Sequence, residues 1–172
     1  VWVQDGPDHA VELVAFDPAF AGEHLPALLA DVKATFHNVL AHPWWLYEPS
    51  EATARRRVRV RLDGDRLVVD HDHVPGPVRS AFLASKTQNV WRPLVGALAA
   101  RDLLPSDWAD VVRAALFCCP TLVMDLRAGG AGGHTPVSSA IGWAVAVAAG
   151  SPTADGSADA VGSLLAAAAP PA

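Results

Sequence analysis

The sequence predicts an α+β fold: an antiparallel β-sheet built from hairpins over about 1–16 and 55–74, covered by a C-terminal layer of helices. Three observations lead there. Short β-rich runs separated by turn residues fill the early part of the chain. Asp63-Gly64 lies between two alternating segments, the signal of a two-residue hairpin turn. From Pro77 onward, apolar residues recur at helical rather than strand spacing.

The elements follow in order. Residues 1–4 and 11–16 are β-rich and flank Asp5-Gly6-Pro7-Asp8, so they read as a hairpin. Over 25–41, Leu25, Leu28, Leu29, Val32, Phe36, Val39 and Leu40 form one stripe at 3.6-residue spacing, which predicts a helix. Pro26 suits its first turn and Pro43 bars its continuation. An aromatic loop, His42-Pro43-Trp44-Trp45-Leu46-Tyr47-Glu48-Pro49, comes next. Arg57-Val58-Arg59-Val60-Arg61-Leu62 then alternates strictly and pairs across the Asp63-Gly64 turn with Arg66-Leu67-Val68-Val69-Asp70-His71-Asp72-His73-Val74. That turn sets Val58 opposite Val69, Val60 opposite Leu67, Arg57 opposite Asp70 and Arg55 opposite Asp72. The charges match across the ladder.

A helix starting at Pro77 carries the inward stripe Leu83, Thr87, Val90, Trp91, Leu94 and Leu98, with Pro93 kinking or dividing it. Ser106 is a candidate N-cap for a helix over 107–119. Pro120 breaks or bends that helix, leaving 121–126 as its continuation or a strand. Residues 127–134 form a glycine-rich loop, after which Thr135-Pro136 opens a small-residue helix to about 149, with Gly142 allowing close packing. Residues 1–150 thus read as a single domain. Residues 151–159 read as a linker, and 160–172 as a weakly ordered tail or short helix.

Bulk properties bound the function. A chain of 172 residues with 51% hydrophobic and 18% charged residues has enough apolar surface for a real core. A net charge of −5 argues against broad nucleic-acid binding. No apolar run reaches the roughly 18 residues of a membrane span, so no membrane partner is expected. The only cysteines, Cys118 and Cys119, are adjacent and cannot staple distant segments, which favours a reduced, cytoplasmic setting. Val1 opens a strand-like run and Met124 is the sole methionine, so the chain is expected to be a piece of a longer protein.

The strongest chemical lead is the end of the second hairpin. Residues two apart on a strand share a face, so Leu67 and Val69 continue as His71 and His73, while Asp70 and Asp72 turn away toward arginines. Two neighbouring imidazoles can hold one divalent ion (Zn, Mn or Fe) or serve acid–base catalysis. A metal needs a third ligand, for which His134, His37, His42 and Glu48 are candidates. As strand-end residues hydrogen-bonded to neighbours, the same histidines would be merely structural.

Three further groups are candidates for binding a small polar or anionic substrate. Lys86, Asn89 and Arg92 share a polar helix face with Ser85, just after the histidines. Gly132, Gly133 and Thr135 belong to a loop that could cradle an anion, although no Walker lysine follows. Trp44 and Trp45, with Tyr47, offer flat surfaces for ligand stacking or for a partner.

These features give two expectations. The first is an enzyme domain acting on a small polar or phosphorylated metabolite by metal-assisted or His-mediated hydrolysis or group transfer, with His71 and His73 catalytic or metal-ligating. The second is a non-catalytic interaction domain whose Trp44-Trp45-Tyr47 loop and alanine-rich helices pack on a protein partner or on the remaining portion of the same chain.

Overall fold

The computed structural model describes residues 2–5, 11–14 and 26–171. The α+β class holds, with both hairpins in place. They form two separate two-stranded sheets, and the helices pack mainly on one another. Strand β1 (Trp2–Asp5) pairs antiparallel with β2 (Val11–Val14), Trp2 opposite Val14. The turn expected between them lies outside the described residues.

Strand β3 (Val58–Asp63) pairs antiparallel with β4 (Arg66–His71). The register differs by two residues from the expected one: Val58 faces His71, Val60 faces Val69, and Leu62 faces Leu67. The turn is Gly64-Asp65 rather than Asp63-Gly64. Gly64 has φ +63°, the left-handed conformation that a type II′ turn places on its first central residue. A two-residue shift returns every side chain to its original face. The histidines therefore still continue the Leu67–Val69 face, but Arg57 meets Asp72 and Arg59 meets Asp70.

The stripe over 25–41 is buried as expected at Leu28, Val32, Phe36 and Val39. Its backbone is not one straight helix. A 3₁₀ turn (Ala27–Leu29) leads to α1 (Val32–Thr35), which runs into a π-helical turn (Phe36–Leu40). Asp31 interrupts the helix with φ −101° and ψ 0°, and its carboxylate accepts from the Thr35 hydroxyl and the Lys86 ammonium. The aromatic segment is not an open loop either. Pro43 and Pro49 each start a short helix, α2 (Pro43–Leu46) and α3 (Pro49–Arg55).

Helix α4 (Pro77–Lys86) continues through a π-helical turn (Thr87–Trp91) into α5 (Arg92–Ala99). The wide turn ends two residues before Pro93, whose ring and missing N–H do not fit a regular helix interior. Helix α6 (Trp108–Val123) has Asp107 rather than Ser106 at its N-cap position, without a side-chain capping hydrogen bond, and it runs through Pro120, so 121–123 continue the helix. Helix α7 (Pro136–Gly150) begins with a capping box in which Thr135 accepts from the Ser138 amide and donates its own amide to the Ser138 hydroxyl. Gly142 lies against Trp45 and Leu126, where a Cβ would come within 3.1 Å of a Leu126 methyl.

The final stretch resolves as a short helix, α8 (Ala160–Ala168), and it belongs to the core through Val161, Leu164, Leu165 and Ala168. Arg113 fixes it there. Its guanidinium donates to Asp159, the α8 N-cap, at 2.8 Å and to the carbonyls of Ala149 and Ser151 at the end of α7. The base of the second hairpin packs on α7, while its tip stands clear, with Leu62 75% exposed.

Candidate functional site

The hairpin end is where strand geometry delivers polar side chains to the helical body. Asp72 accepts from the Arg57 amide (3.1 Å) and from its Nε (3.3 Å), which holds the chain in strand-like alternation past β4. His71 and His73 consequently project together, their ring centroids 6.3 Å apart. His71 is exposed, whereas His73 is only 7% exposed. A third imidazole meets them from another element. His42, the N-cap of α2, accepts the Trp44 amide on Nδ1 (3.2 Å), which orients its ring edge-on to His73 at 5.8 Å.

Both histidines line a cleft of about 180 Å³ between the end of β4, α7 and the start of α8. Its remaining walls are Leu40, Pro75, Ala144, Val145, Ala148, Ala149, Asp159, Ala160 and Val161, which are nearly all apolar. The small side chains of α7 leave this space open, because alanines cannot fill the gap between helix and hairpin. Burial pushes the His73 pKa down to about 4, helped by Arg56, His42, His71 and Arg79. His42 is lowered by burial and by the Arg79 and Arg56 guanidiniums. His73 is therefore a neutral imidazole at pH 7, able to donate one hydrogen bond and accept another.

A metal centre is not assembled from these groups. Among the described residues, no three His, Cys, Asp or Glu side chains are arranged to hold a metal ion. His37 is directed elsewhere, stacked on Tyr47 with its Nδ1 3.1 Å from the tyrosine hydroxyl. His134 is buried beside Ser138.

The other sequence candidates do not join the cleft. The Lys86 ammonium is engaged by Asp31 at 2.7 and 2.9 Å, in a chain that continues through Thr35 to the indole N–H of Trp91. Lys86 is thus a packing cation. Asn89 donates to Ser85 on an exposed helix face, and Arg92 borders a separate depression beside the end of α8. Trp45 is a fully buried core residue, and Trp44 lies beneath the guanidiniums of Arg55 (4.6 Å) and Arg56 (5.4 Å). Of the three aromatics only Tyr47 is broadly exposed, at 61%.

The glycine-rich loop is folded around a carboxylate, which removes its resemblance to an anion cradle. Asp125 accepts from the Arg127 amide and guanidinium and from the Ala131 amide, and the Arg127 hydrogen bonds hold its carboxyl well below the usual range. The amides of Gly129, Gly130 and Gly133 donate to carbonyls within the same turn. A Cβ on Gly132 would lie 2.5 Å from the Asp125 carbonyl oxygen, so close approach explains that glycine. Thr135 is occupied by the α7 cap and by Thr53 at 2.8 Å. Cys119 is also structural in character: burial pushes its thiol up, away from the reactive thiolate.

Sequence reasoning offered His42 only as one of four possible third ligands, and it missed Arg56, Arg79 and the α7–α8 wall as neighbours of the histidine pair. Nothing in the spacing signals them, since they come from elements far apart in the chain. No protein-family model, curated protein or solved structure matches this chain. No helix among the described residues is long and apolar enough to cross a membrane.

Proposed function

We propose that this protein binds a small polar molecule in the cleft between β4, α7 and α8, with His71 and His73 addressing its polar group. The observation that carries the reading is that both imidazoles line one apolar cleft, one of them buried and uncharged. An apolar pocket with a few convergent polar groups suits a small ligand, and a neutral imidazole can take a proton from it. The chemistry such a site supports is His-mediated hydrolysis or group transfer. Among the described residues, no Ser, Thr, Cys or Lys lines the cleft. With Asp159 held by Arg113, the attacking group in such a reaction is one of the imidazoles, a water deprotonated by His73, or a nucleophile on a second substrate.

Partner binding through Trp44, Trp45 and Tyr47 has less support, because two of those rings are engaged within the fold. Imidazole-detected NMR tests the cleft reading against a library of small compounds, since 180 Å³ is the liquid volume of about six waters at roughly 30 Å³ each. Members that bind are expected to shift His71 and His73 while leaving His37 and His134 in place. Ala148→Phe, which fills the cleft, removes those shifts. A library that moves neither cleft histidine overturns the reading.

A further inference from the structure

The ligand itself is constrained by the charge around the cleft. Three imidazoles stand in a row, His42 5.8 Å from His73 and His73 6.3 Å from His71. Two guanidiniums border the row. Arg56 caps the end of α3 and lies over Trp44, which itself contacts His42 at 4.6 Å. Arg79 of α4 donates to the carbonyls of His37 and Asn38, just before the cleft residue Leu40. Neither guanidinium is in an ion pair with a described carboxylate.

Asp70 lies on the other face of β4 opposite Arg59, and the two other nearby acids are already matched. Asp72 is paired with Arg57, and Asp159, on the cleft wall, is paired with Arg113 and accepts from the Gly162 amide. Helix α7 contributes only Ala144, Val145, Ala148 and Ala149 to the cleft. The potential at the imidazole end is consequently positive, and the opposite wall is hydrocarbon apart from the Asp159 carboxylate that Arg113 neutralises.

We propose that the cleft takes a short amphipathic carboxylate, with its apolar chain against Leu40, Val145, Ala148 and Val161 and its carboxylate at His71 and His73. The inference rests on the ligand-cleft reading above and adds the charge class. A bound carboxylate gives the His73 imidazolium the counter-ion that its surroundings lack, so binding draws a proton onto the imidazole row. Affinity then rises as the pH falls from 7 toward 5.

Butyrate and its neutral isostere butyramide, titrated at matched ionic strength and followed by His71 and His73 shifts, test this directly. Butyrate is expected to bind about ten-fold more tightly at pH 6, the scale of one charge-assisted hydrogen bond. Its affinity increases on acidification while that of butyramide stays flat. Arg79→Gln is expected to reduce the butyrate preference. Should that variant misfold, the pH dependence of the wild-type protein decides alone. Equal binding of the two probes, or tighter butyramide, overturns the anion assignment and leaves the cleft reading standing. No shift from either probe, in protein whose histidine resonances are native, overturns this proposal; if the wider library also fails, the cleft reading falls with it.

Discussion

His73 and His134 are both buried imidazoles whose basicity is lowered mainly by burial, yet they occupy opposite kinds of environment. His134 closes the glycine-rich turn, with Nδ1 3.2 Å from the Ser138 hydroxyl inside the α7 cap and backbone packed around it. Its Nε2 has no hydrogen-bond partner among the described residues, nor does the indole N–H of Trp45. His73 is flanked by two other imidazoles and opens onto a cleft. Burial alone therefore does not distinguish a histidine that faces a cleft from one enclosed by packing. What distinguishes them is whether space lies beside the ring.

The largest loss of stability at neutral pH is expected in the glycine loop. Gly132→Ala places a methyl group against the Asp125 carbonyl and is expected to cost about 2–3 kcal/mol of stability, the scale of an overpacked site. Urea unfolding measures it. The cleft histidines of the folded fraction should keep their wild-type shifts, because the loop and the cleft share no lining residue.

The next effect is pH dependence. The folded pKa of His73, about 4, lies below the unfolded value of 6.5, so the unfolded chain binds its proton more readily. Stability from this group is complete well above pH 6.5 and is lost as pH falls toward 4, by about 3 kcal/mol. His42 and His134 shift in the same direction and add to the slope. Chemical denaturation between pH 4 and 7 measures the total, and His73→Gln should flatten it. A variant with the wild-type slope would show that His73 is not the buried neutral group described above.

His134→Ala is expected to destabilise by about 1–2 kcal/mol, through lost packing and one lost hydrogen bond to Ser138, without weakening any cleft ligand. His71→Ala should do the reverse. Its side chain is exposed, so stability should change by less than about 0.5 kcal/mol while ligand-induced shifts at His73 weaken. Parallel denaturation and NMR titration of the two variants separate the roles. Matching profiles would erase the distinction.

Several parts of this architecture were readable from residue pattern. The alternation at 57–62 and 66–73 fixed which side chains share a face, and the two-residue register error left that intact. Thr135-Pro136 announced the start of α7 through a cap that depends on neighbouring residues alone. The π-helical turns and the use of Asp107 instead of Ser106 were not readable, because they answer to packing along whole helices. Lys86 shows the same limit. Its helix face looks solvent-directed until Asp31, far away in sequence, folds against it.

By itself, then, the chain determined local conformation and the shared direction of His71 and His73, since strand alternation depends only on neighbouring backbone. Tertiary structure alone decided which polar groups are engaged and which face open space. It brought His42, Arg56 and Arg79 to the imidazoles, gave Lys86 to Asp31, and wrapped the glycines around Asp125. The physical reason is that pairing and desolvation depend on distance in space, and sequence spacing constrains that distance only within a single element.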